Sequence, residues 1–184
     1  MATTLNSRNL WTAAAAAVAI IFLIVMVIAG ALPEQRQLVK FEAKGVMQLP
    51  PERISSVALR AGEHSVIFQR VGDGGWARED GTPLDPAVSK RLSMAVHFMN
   101  TSAPVRELAP SEYAASKASE FGLEHPALSI VLFEGSQPVL AAHFGGHNPD
   151  GYLQYVRVEG RRELFMLSRF VGAEWDAVTQ STLR

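Results

Sequence analysis

Cysteine is absent from this chain. Disulfides, a thiol nucleophile, cysteine metal sites and lipid attachment at a lipobox cysteine are therefore excluded. A basic surplus is missing too. Lys and Arg number 17 against 18 Asp and Glu, for a formal net charge of −1. Nucleic-acid binding needs a basic face, so this balance argues against nucleic acid as a partner. No Gly-x-Ser-x-Gly elbow occurs. Gly72-Asp73-Gly74-Gly75 and Gly145-Gly146 are not followed by a helix bearing Lys and Ser or Thr, so they read as turns and not as phosphate loops. No cofactor is implied. Charge of either sign is lacking over one long stretch, Leu10 to Leu32.

That stretch sets the first expectation. As a helix rising 1.5 Å per residue it covers about 34 Å, against a hydrocarbon core of about 30 Å. It is apolar all round, unlike a surface helix with a polar stripe. Its length exceeds the apolar run of a cleaved signal peptide, which favours a retained signal anchor, although Ala29-Gly30-Ala31 resembles a cleavage site. The sequence thus predicts a single-pass membrane protein. A tail spans 1–9, a transmembrane helix 10–32, a stem 33–52 and a domain 53–184. Arg8 precedes the run, while Arg36, Lys40 and Lys44 follow it, so local charge does not fix direction. Domain length favours a cytoplasmic N-terminus and a periplasmic domain at the bacterial inner membrane. The small residues Ala13, Ala17 and Gly30 suit close helix packing against other integral membrane subunits, with the lipid bilayer as the other partner.

The domain is predicted to be α+β, an antiparallel β-meander with the order three strands, two helices, four strands and a final helix. Ile54 to Leu59, Ser65 to Val71 and a piece opened by Trp76 are the first strands. Asp85 as N-cap and Pro86 at the first helical position open a helix over 85–101, with Val88, Leu92, Ala95, Val96 and Met99 on one face. Pro104 to Leu108 is extended. Ser111 is expected to cap a second helix running to Phe121, stopped by Gly122. Leu128 to Phe133, Val139 to Phe144, Tyr152 to Val158 and Glu163 to Ser168 follow as strands joined by short loops. A helix from Arg169 to Gln180 closes the chain.

Several phrases together resemble a known family. They are the Asp85-Pro86 helix start, Pro104-Val105-Arg106, Glu120-Phe121-Gly122-Leu123-Glu124-His125-Pro126, Phe144-Gly145-Gly146 and Tyr152-Leu153-Gln154-Tyr155-Val156-Arg157. Over about residues 50–180 the chain resembles the uncharacterised bacterial family catalogued as domain of unknown function 4340. The resemblance implies one N-terminal membrane helix with an extracytoplasmic domain, in some members encoded beside transporter components. The family has no established catalytic residues, so it implies none here.

Candidate chemistry is thin. His143, His147 and Asp150 have ligand-type side chains in a His-x3-His-x2-Asp spacing, yet Asn148-Pro149-Asp150-Gly151 is a plain turn sequence. These three are weak metal candidates. No spacing singles out a Ser-His-Asp triad. Tyr152 and Tyr155, read as opposite faces of one strand, offer one ring for a partner surface. The expected function is a non-catalytic accessory, stabilising or assembly subunit of a larger membrane complex. The alternatives are an envelope hydrolase or a small-ligand-binding module beside a transporter.

Overall fold

Alternation shapes most of this chain. In Ser56 to Ala61, Val57 and Leu59 are buried while Arg60 is exposed, the period-2 pattern of a half-buried strand. The computed structural model describes residues 7–31, 44–72, 74–114 and 116–183. The chain divides into two units, 1–41 and 42–184. The first contains helix α1 (Ser7–Ala31). The second runs β1 (Ser56–Ala61), β2 (His64–Val71), β3 (Gly75–Arg78), α2 (Pro86–Thr101), β4 (Arg106–Leu108) and α3 (Pro110–Tyr113). It continues through β5 (Leu128–Glu134), β6 (Gln137–His147), β7 (Leu153–Val158), β8 (Leu164–Ser168) and α4 (Arg169–Thr182).

The transmembrane expectation is corrected. Residues 10–31 are helical, but among the described residues no helix is long and apolar enough to cross a membrane. The single-pass and signal-anchor readings fall with it. Leu32 and stem residues 33–43 lie outside the described residues, as do the side chains of Ala13 and Gly30.

The predicted meander order is also corrected. All eight strands form one antiparallel sheet in the order β3-β2-β1-β5-β6-β7-β8-β4. Two differences from the expectation produce it. The first strands of the two meanders pair with each other, Ser56 opposite Phe133 through Ala61 opposite Leu128. The extended piece after α2 becomes β4, which pairs β8 with Arg106 opposite Met166. Joining β1 to β5 removes two edges that would otherwise expose unpaired backbone. The second helix is shorter than expected. Pro110 takes its first position, making Ala109 the N-cap, and a separate 3-10 turn spans Ala118–Phe121. Gly122 stops that turn in the left-handed region, at φ 66°.

α2 and α4 cover one face of the sheet. Asp85 accepts from the Ala87 N–H at 2.8 Å to cap α2, and Leu92, Ala95, Val96 and Met99 are buried below it. Ser89 and Ser93 interrupt this apolar stripe for a reason. Ser89 Oγ accepts from the Trp76 backbone N–H at 3.1 Å, and Ser93 Oγ accepts from the indole at 2.9 Å. The fully buried Trp76 is thereby satisfied. Arg70 lies 4.5 Å over the Trp76 ring and donates to the Ile54 and Pro51 carbonyls at 2.7 and 3.0 Å. The stem's described part docks on the end of α2, where Gly45 and Met47 donate to Asn100 and Met99. Asn100 Nδ2 donates back to the Met47 and Leu49 carbonyls.

The outer face divides in two. Under the 109–123 segment, Leu108, Leu123, Leu164 and Met166 form a second small core, with Tyr113, Phe121 and Tyr155 against it. Beside it Ile67, Ala58, Val131 and Ala141 make one cross-strand row that no described element of this domain covers. A bulge breaks the β5–β6 register. Phe133 faces Pro138 and Leu132 faces Leu140, leaving Val139 as the extra residue. Pro138 has no N–H for the ladder, so the irregularity falls where a regular pairing would lose a bond anyway.

Candidate functional site

The polar row beside that uncovered face holds the densest chemistry. Ser129 on β5 is paired on one side with Arg60 of β1 and on the other with His143 of β6. Ser129 Oγ lies 2.8 Å from His143 Nδ1, and His143 Nε2 lies 3.0 Å from Glu159 Oε1. A carboxylate only accepts, so Nε2 carries the hydrogen and, in the neutral ring, Nδ1 is left to accept from the Ser129 hydroxyl. Glu159 is fixed just past β7 by its N–H, which donates to the Ala141 carbonyl at 2.9 Å. The His143 side chain is 27% exposed and that of Glu159 65%. A cavity of about 410 Å³ opens beside them, lined by Arg60, Glu124, His125, Pro126, Ser129 and His143. The arrangement is a hydroxyl, a base and an orienting carboxylate in series, with a guanidinium across the strand.

The metal candidates separate. His143 is engaged with Ser129 and Glu159. His147 ends β6 opposite Gln154, beyond a second register shift. Its charge acts on Asp176 of α4, whose carboxyl is pushed above the usual range by burial and pulled back by His147. Asp150 is exposed within the turn closed by Gly151 N–H to the Asn148 carbonyl at 2.8 Å. Among the described residues no group of three His, Asp or Glu is placed to hold a metal.

The tyrosines separate as well. Tyr152 lies before β7 and is 71% exposed. Tyr155 packs edge-on to Phe121, centroids 4.9 Å apart, inside the second core. Ala17 is exposed on α1. Sequence reasoning missed Ser129 and Glu159. Outward position in an apolar strand marked Ser129, but its opposition to His143 depends on the bulge. Regular pairing out from the Gly135-Ser136 turn would set Ser129 against Ala142.

No family model matches the chain, and no curated protein or solved structure matches it.

Proposed function

We propose that this protein is a non-catalytic accessory or assembly subunit of a larger membrane complex, docked through the apolar segment 14–25 of α1. One observation carries this reading. α2 and α4 each bury an apolar stripe, Leu92, Ala95, Val96 and Met99 on one and Val171, Trp175 and Val178 on the other, whereas the described apolar side chains of α1 at 14–25 are exposed, with Val18 67%, Ile21 61% and Phe22 65%. Apolar surface of that extent needs an apolar partner. The alanines at 14–17 leave room for close approach by a partner subunit's apolar helix. In this reading the folded domain works at the periplasmic face of the bacterial inner membrane, in keeping with the family resemblance. The test is affinity purification of the full chain from gently solubilised membranes. Stoichiometric integral membrane partners are expected, lost in Ile21→Asp/Leu23→Asp while the circular dichroism of the domain is unchanged. A full chain that elutes alone as a monomer refutes the reading.

A second reading, an envelope hydrolase, is favoured by the Ser129–His143–Glu159 chain. There Ser129 Oγ would attack an ester carbonyl and pass its proton to His143 Nδ1. The leaving alkoxide would take that proton, and water would then release the acyl group. Labelling by a fluorophosphonate at Ser129, abolished in His143→Ala, is the expected result of this reading. Absence of labelling at Ser129 removes it.

A further inference from the structure

The 109–123 segment does more than cover the second core. Between it and the loop after β7 lies a separate cavity of about 210 Å³. Its floor and wall are Tyr113, Phe121 and Leu123, and its rim carries Arg157, Arg161 and Arg162. Three arginines thus line one hollow, beside the single carboxylate of Glu163. Among the described residues none of the three is in an ion pair. Arg157 is held by donating to the Leu123 carbonyl at 3.0 Å, the residue that lines the cavity floor. The other wall is fixed by the Tyr113 hydroxyl, which donates to the Arg162 carbonyl, and by edge-on contacts running Tyr113–Phe121–Tyr155.

We propose that this cavity binds a small oxyanion, a phosphate monoester or carboxylate, carrying an aromatic or aliphatic arm. Three like charges beside one carboxylate leave a net positive cluster whose members repel each other, and an anion bound among them reverses the sign of that interaction. Guanidinium matches phosphate and carboxylate through paired N–H donors, which a lysine rim would not do. The apolar floor accepts the arm, the pattern of a site with few polar anchors over an apolar base. The oxyanion comes either from a soluble ester or from an anionic lipid headgroup. The chemistry recognised is the same.

The probes are phenyl phosphate, inorganic phosphate and benzyl alcohol, titrated into the full chain by calorimetry. Vesicles of phosphatidylcholine with and without phosphatidylglycerol form a parallel flotation arm. Phenyl phosphate is expected to bind saturably and more tightly than phosphate, with benzyl alcohol silent and added salt weakening the affinity. Arg161→Gln/Arg162→Gln should weaken it about tenfold or more. Phe121→Leu, which keeps the core filled, should bring phenyl phosphate down toward phosphate. Flotation lost in the double variant assigns the ligand to lipid, and calorimetric binding without flotation assigns it to a soluble ester. The proposal is overturned if phenyl phosphate shows no saturation by about 10 mM. It is equally overturned if the double variant binds or floats as well as the parent.

Discussion

Single residues in this protein act through the backbone groups they satisfy. Glu112 is the plainest. Its carboxylate accepts from the Ala109 N–H at 2.7 Å and from Arg106 at 2.7 Å. The Ala109 N–H first, and then the Arg106 side chain, hold its carboxyl below the usual range. A depressed carboxyl pKa contributes stability above its unfolded value, and that contribution fades as pH falls through the folded value. Glu112→Gln keeps an acceptor for Ala109 but removes the charge. Thermal melts should therefore show a small loss near pH 7 that vanishes in strong acid. A loss of equal size at both pH values would mean the charge has no part in it. Asp176 runs the other way: its raised pKa means the charged form is disfavoured in the fold, so Asp176→Asn should stabilise at neutral pH and lose that advantage in acid.

At the scale of elements, the 118–123 turn shows why a glycine stands where it does. Gly122 has φ 66°, and a Cβ there would meet the Gly146 nitrogen at 2.6 Å. A side chain at Gly145 would run into the Phe121 carbonyl and Leu123. The crossing of this turn over the end of β6 is thus a backbone-to-backbone contact built on facing glycines. Gly122→Ala should cost about 2 kcal/mol and speed amide exchange in 118–123 while leaving α2 protected. Uniform acceleration across the domain would contradict a local role. Sequence reading found Gly122 as a stop, read Gly145-Gly146 as a turn where both in fact lie within β6, and missed that these glycines meet. Caps and alternation are local, and α2 and most strands were legible from them. The strand β4 was legible only as an extended piece, because three residues reading Arg-Glu-Leu carry no pairing pattern until β8 supplies a partner. The Ser129–His143–Glu159 chain was invisible for the same reason: its members belong to β5, β6 and the loop after β7.

Across the whole folded domain, the β1–β5 pairing has the largest effect. Without it the two meanders would be separate layers, each with its own helix. With it, Val57, Leu59, Ile130 and Leu132 lie in one core with Trp76 and Trp175. Unfolding of the chain should therefore be one cooperative transition for this domain, with tryptophan fluorescence and far-UV dichroism coinciding. Two resolved transitions within the domain would show that the halves are independent. Refolding should be slow for the size, since β1 must find β5 across β2, β3, α2, β4 and α3. The bulge at Val139 has a further consequence. A strand has two phases, inward and outward, and each inserted or deleted residue exchanges them. Here the chain changes phase once between Pro138 and Leu140, which sets Leu140, Ala142 and Phe144 inward and His143 outward. Removing Val139 merely straightens the hairpin, and every later residue keeps its phase. Removing Ala141 instead would turn His143 toward the helices. Chain length is thus free to vary by one residue on the turn side of Leu140 and is fixed beyond it.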